Sequence, residues 1–127
     1  MSTSPERLRI VVGDDAPPSR AILARLIGEL GHEIVAEAAD APGLLARCAE
    51  LRPDLAIVDG RLPPGGGLAA VESLRRADGE LAIVFVASLD EVDLLRSALG
   101  AGASAGLGRP FLRSQVEATL RRLARTE

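Results

Sequence analysis

The stretch Leu8-Arg9-Ile10-Val11-Val12-Gly13-Asp14-Asp15 sets a short, almost unbroken apolar run against a pair of acids, and Leu55-Ala56-Ile57-Val58-Asp59-Gly60 repeats the arrangement further along. An apolar run without alternation reads as a strand covered on both faces, the condition of a central strand in a parallel sheet. Leu81-Ala82-Ile83-Val84-Phe85-Val86 is a third run of this kind. His32 to Ala38 is less uniformly apolar, and Ala105 to Gly108 is short and glycine-rich, so both belong toward the sheet edges.

Segments of helical period separate these runs. Ile22, Leu23, Leu26, Ile27 and Leu30 predict the buried face of a first helix, with Gly31 as its stop. Asp40 predicts the cap of a second helix, with Pro42 in its first turn, Leu44, Leu45, Cys48 and Leu51 facing inward, and Pro53 beyond its end. Leu68, Val71 and Leu74 stripe a third helix, Val92, Leu95 and Leu99 a fourth, and Val116, Leu120 and Leu123 a fifth. Strands alternating with helices predict an α/β fold of crossover units on one doubly wound, five-stranded parallel sheet with five helices. Pro63-Pro64-Gly65-Gly66-Gly67 is a loop signal and not a domain boundary, so residues 1–127 read as one domain, with 1–7 flexible.

A chain of 127 residues is long enough to close one core. Its 47% apolar and 26% charged residues are ordinary for a globular domain and argue against disorder or a fibrous architecture. The net charge of −3, with both signs mixed along the chain, gives no electrostatic footprint for direct nucleic-acid binding. Arg121, Arg122 and Arg125 read as the solvated face of the last helix. Cys48, the single cysteine, excludes an intrachain disulfide, reads as a small buried apolar residue, and suits a reducing cytoplasm. No apolar run approaches the roughly 18 residues a membrane helix needs, and residues 1–7 lack a signal peptide's apolar core.

In an open parallel sheet, ligands bind beyond the carboxyl ends of the strands, where connections switch direction. If the first and third strands are neighbours, Asp14, Asp15 and Asp59 emerge at one rim. Two carboxylates about 4 Å apart repel by roughly 4 kcal/mol at an effective dielectric of 20. A hard divalent cation would offset that charge, since Mg²⁺ takes oxygen ligands and retains waters that a phosphate can replace. Proton uptake with raised pKa values is the second solution, and a plain role as turn formers after strands is the third.

The acidic pair Asp14-Asp15, Asp59 at the end of the third strand, Pro63 and Gly67 after it, Ala101-Gly102-Ala103-Ser104, and Arg109-Pro110 with Phe111 together resemble the response-regulator receiver family of bacterial two-component signalling. The resemblance spans nearly the whole chain. It implies the flavodoxin-like strand order 2-1-3-4-5 and a phosphoacceptor switch with no activity on free substrates. It further implies Asp59 as phosphoryl acceptor, and Mg²⁺ held by Asp15, Asp59 and the backbone carbonyl of Arg61, with Asp14 acting through water. A nucleophilic carboxylate forming an acyl phosphate beside a charge-offsetting metal is coherent chemistry. The implied partners are a histidine kinase or phosphotransfer protein as donor and an output domain or protein, with a homodimer through the fourth helix, fifth strand and fifth helix as one arrangement. The family's cis Xaa-Pro bond would fall at Arg109-Pro110.

Three positions depart from the family pattern. Its hydroxyl residue at the end of the fourth strand falls on Ala87, which can donate no hydrogen bond. Ser88, one position late, is either a displaced phosphate contact or the cap of the fourth helix in the box Ser88-Leu89-Asp90-Glu91. Arg109 stands at the lysine position as charge partner of Asp59, a planar fork replacing a compact ammonium. Gly106 stands where the family often carries an aromatic side chain. These departures predict weakened or atypical switching. The competing reading is a degenerate receiver that binds partners regardless of phosphate.

Gly100-Ala101-Gly102-Ala103-Ser104-Ala105 matches a dinucleotide fingerprint in form only, because it follows a helical stretch instead of a strand. Gly65-Gly66-Gly67 lacks the downstream Gly-Lys-Ser/Thr of a P-loop. His32, the sole histidine, reads as a surface residue with no nucleophile and acid to form a triad. An aspartate-based phosphatase expects a second Asp two positions on, where Asp14 and Asp59 are followed by Ala16 and Arg61.

Overall fold

A computed structural model describes residues 7–124. Strands β1 (Arg9–Gly13), β2 (Glu33–Ala38), β3 (Leu55–Asp59), β4 (Ala82–Ser88) and β5 (Ala105–Arg109) pair in parallel in the order β2-β1-β3-β4-β5. The uniformly apolar strands are the central ones, and the two less regular runs form the edges. Helices α1 (Pro17–Glu29), α2 (Ala41–Leu51), α3 (Gly67–Ala77), α4 (Val92–Ala101) and α5 (Arg113–Ala124) connect them. The expected flexible stretch 1–7 lies outside the described residues except for Arg7, which pairs with Glu33 at 3.8 Å. Arg125 of the basic cluster also lies outside them, and Arg121 pairs with Glu117.

Because side chains alternate across a sheet, each central strand feeds two cores. Val11, Val58, Ile83 and Phe85 pack with Leu44 and Cys48 of α2 and Val71 and Leu74 of α3. Val12, Ile57, Val84, Val86 and Leu107 pack with Leu23 and Ile27 of α1 and Val116 and Leu120 of α5. Each fully buried aliphatic side chain contributes about 1.5–3 kcal/mol. Cys48 is buried as expected, and burial pushes its thiol up to about 11.

The helix boundaries follow local chemistry. Asp40 caps α2 by accepting from Gly43 N at 2.7 Å. Gly31, at φ 90°, adopts the left-handed conformation that closes the end of α1. Two helix faces differ from those the periodicity predicts. Ile22 is 53% exposed, because the buried stripe of α1 runs through Leu23 and Ile27, one residue further round. Val92 and Leu99 are likewise exposed, and the buried residue of α4 is Ala98, with Leu94 and Leu95 packed against the core. Arg75 of α3 donates from Nε and Nη2 to Gly102 O at 3.1 and 2.7 Å, and this tie helps set the roll of α4.

Ser88 is not the cap of α4. Strand β4 continues through it, pairing it with Arg109, and the helix starts after Glu91 with no side-chain cap. Half of the expected box survives, since Ser88 N donates to Glu91 Oε1 at 2.8 Å. The turn is closed instead by Glu91 N donating to Ser88 O.

His32 is half-buried and not a plain surface residue. Its Nδ1 accepts from Leu8 N at 2.9 Å and so ties the entry of β1 to the start of β2. Burial lowers its pKa. The folded chain therefore takes up this proton less readily than the unfolded chain. The resulting stability is complete above the usual histidine pKa of about 6.5 and declines as pH falls through that value toward the depressed folded one. The urea midpoint is expected to drop between pH 7.5 and pH 5.5, and His32→Gln is expected to flatten that dependence; an unchanged slope in the variant would show that another group is responsible.

Candidate functional site

The register of β1 against β3 pairs Gly13 with Val58, so Asp14 and Asp59 leave neighbouring strands at the same level of the carboxyl rim. Both follow the alternation of the face that carries Val12 and Ile57. Asp14 and Asp59 are 3% and 2% exposed, the only buried charged or polar residues among those described. Taking two charges into a low-dielectric setting requires compensation.

For Asp59 the compensation comes from β5. Leu107 and Arg109 share a face, and Arg109 Nη1 donates to Asp59 Oδ2. Arg61 N donates to Asp59 Oδ1 at 2.8 Å, while the exposed Arg61 guanidinium stands 3.7 Å from the same oxygen. Arg109 Nη2 is buried and has no partner among the described residues. Asp14 is held differently. Its carboxylate accepts from Ala16 N at 2.8 Å, its own N donates to Ala38 O, and its carbonyl accepts from Arg20 Nη1 at 2.7 Å. Asp15 is exposed, and its side chain has no hydrogen bond or ion pair among the described residues.

The structure thus brings Asp14, Asp59 and Arg109 to one rim, with Asp15 beside them on the turn into α1. Among the described residues, no group of three or more His, Cys, Asp or Glu side chains stands arranged to hold a metal ion. The Asp14 carboxylate accepts from Ala16 N, and Asp59 is engaged by Arg109. The donors nevertheless suit a hard divalent cation, because every candidate ligand atom is an oxygen, from Asp14, Asp15, Asp59 or the Arg61 carbonyl.

The loop after β3 presses on the same rim. A Cβ on Gly67 would lie 2.2 Å from Asp59 O, so only glycine allows α3 to begin this close to the acceptor strand. Ala87 is buried in β4 opposite Gly108 and brings no hydroxyl. Where an aromatic side chain was missing at Gly106, Leu95 fills the space, its Cδ1 lying 2.3 Å from the position a Cβ would take. The Arg109-Pro110 bond is cis, as the resemblance implied, and so is Pro63-Pro64. Arg20 and its partner Glu37 were missed. In sequence, Arg20 is one more charged residue on a helix, and only the folded β1–α1 turn reveals what it reaches.

A parallel sheet of order 2-1-3-4-5 with its acids at the crevice above β1 and β3 defines the flavodoxin-like class of doubly wound domains. Within that class, the response regulator receiver domain profile matches residues 10–121, and the chain belongs to that family. It is similar to the chemotaxis protein CheY of Thermotoga maritima, 26% identical over 92% of this chain and 98% of that one. It is also similar to the transcriptional regulatory protein PdtaR of Mycobacterium tuberculosis, 34% identical over 81% of this chain and 50% of that one. The signal receiver domain of the putative response regulator NarL from Mycobacterium tuberculosis superposes with a TM-score of 0.87 at 27% identity, covering 97% of this chain and all of that one. Receiver domains are generally phosphoacceptor switches that work with histidine kinases and output domains. No described helix is long and apolar enough to cross a membrane.

Removing one partner of a buried ion pair strands the other, at about 3–5 kcal/mol. Arg109→Met is therefore expected to lower stability by about 3 kcal/mol, and the same change in an Asp59→Asn background by less than about 1 kcal/mol. Urea denaturation of the four proteins measures this coupling, and additive losses would show that the pair is not what compensates Asp59.

Proposed function

We propose that this chain is the phosphoryl-accepting receiver of a two-component pathway, with Asp59 as the acceptor and Mg²⁺ as its cofactor. The observation that carries the reading is the arrangement around Asp59. A buried carboxylate stands at the strand end, held by one guanidinium nitrogen of Arg109, while the second nitrogen, also buried, lacks a partner among the described residues. An unpaired donor beside a carboxylate suits an incoming oxyanion. In the transfer, a carboxylate oxygen of Asp59 attacks phosphorus, the bond from phosphorus to the donor breaks, and the donor leaves with that electron pair. Asp15, Asp59 and the Arg61 carbonyl would hold the cation, with Asp14 behind them. When bound, the cation offsets charge on the transferring group. A histidine kinase or phosphotransfer protein would be the donor, in the cytoplasm, and no activity on free substrates is proposed.

A second reading has its own support. Among the described residues, four of the five exposed large apolar side chains, Leu89, Val92, Leu99 and Leu112, lie on α4 and on the connections flanking α4 and β5. Ala87 and Gly106 also remove the two side chains by which the family links phosphate to that region. A phosphorylation-independent interaction module, or a homodimer through α4, β5 and α5, would use the same surface.

Intact mass after incubation with acetyl phosphate and Mg²⁺ separates the readings. One phosphoryl adduct, absent in Asp59→Asn and without Mg²⁺, is expected; no adduct with any donor would favour the interaction module. Ala87→Thr is expected to raise the initial rate of labelling by about tenfold, because a preorganised donor at a transferring group is worth at least that much. A rate that does not rise would remove Ala87 as the limiting departure.

A further inference from the structure

Among the described residues the Asp15 side chain has no hydrogen-bond or ion-pair partner, so the peptide that precedes it sets where it starts from. That peptide is clamped. Asp14 N donates to Ala38 O of β2 at 3.0 Å, and the Asp14 carbonyl accepts from Arg20 Nη1 at 2.7 Å. The guanidinium is aimed in turn by Glu37 of β2, whose Oε1 accepts from Arg20 Nε at 3.1 Å. The Arg20 side chain is 23% exposed and so partly shielded, while Glu37, at 44%, is exposed. Arg20 therefore joins α1, β2 and the acidic turn through one planar group, a connection that a compact ammonium cannot make in the same way.

We propose that Arg20, oriented by Glu37, is a positioning residue that holds the Asp14-Asp15 turn in the conformation from which Asp15 reaches the divalent cation. This rests on the reading of the acidic rim as a cation site. Outer partners of this kind, which orient ligands without touching the ion, typically alter metal affinity by 10–100-fold when removed.

Charge and position predict opposite effects here. Arg20 is a cation near a cation site, so if its charge were all that mattered, Arg20→Ala would tighten Mg²⁺ binding by removing repulsion. If it positions the turn, the same substitution weakens binding. Mg²⁺ titrations followed by amide chemical shifts on the full chain are expected to give a dissociation constant about tenfold higher for Arg20→Ala, with Arg20→Lys in between. In the metal-free protein, the amides of Asp14 and Ala16 are expected to exchange with solvent about tenfold faster in Arg20→Ala, while those of β3 and β4 stay protected, showing that the fold is intact. Binding that is unchanged or tighter in Arg20→Ala, or unaltered exchange at the turn, would overturn the positioning role. Absence of any Mg²⁺ response in the unaltered chain would instead overturn the cation site on which it rests.

Discussion

The contact on which the rest of this site depends is the one between Asp59 at the end of β3 and Arg109 at the end of β5. A carboxylate withdrawn this far from water costs several kcal/mol unless it is answered, and Arg109 answers it across the intervening strand β4. The pair depends on the register of β3, β4 and β5: Asp59 pairs with Val86 and Val86 with Leu107, so Arg109 stands two residues further along and its long side chain spans the offset. It also requires Asp59 and Arg109 to project from the same face, which the alternation of side chains along each strand provides.

The substitution of arginine for lysine gives this pair a character of its own. A lysine presents one compact charge, whereas the Arg109 fork can engage Asp59 with one nitrogen and keep a second available. On the other side of β4 the chain has become smaller. Ala87 carries no hydroxyl, Gly106 and Gly108 carry no side chains, and the leucines of the α4 region close over the two glycines, Leu95 above Gly106 and Leu89 above Gly108. Coupling between the rim and the α4 surface would therefore run through aliphatic packing and backbone, without a ring that changes rotamer. The apolar residues exposed around α4 are the natural place for such coupling to be felt.

Most of the architecture was legible because a few residues speak unambiguously. The continuous apolar runs Leu55–Val58 and Leu81–Val86 read as central strands, Asp40 with Pro42 reads as the opening of a helix, and the structure has them so. The helix faces at Ile22, Val92 and Leu99 were misread for a physical reason. A helical stripe is specified only to within about one residue of rotation, and the choice is made by what lies opposite. The glycines of β5 and the small Ala98 let α4 sit with Leu95 inward. Ser88 was misread because a capping box and a strand terminus use the same residue types, and pairing with Arg109 kept it in the strand.

The sequence by itself determined the order of elements, which strands are central, and which acids stand at strand ends, because periodicity, caps and turn residues are local properties of a chain. Only the tertiary structure decided which charges meet. Whether Arg109 reaches Asp59, how the Asp14 carboxylate is turned, and that Arg20 and Glu37 support the turn ahead of Asp15 all depend on strand neighbours and helix rotation. Those are fixed by contacts between segments far apart in the chain, and no local pattern records them.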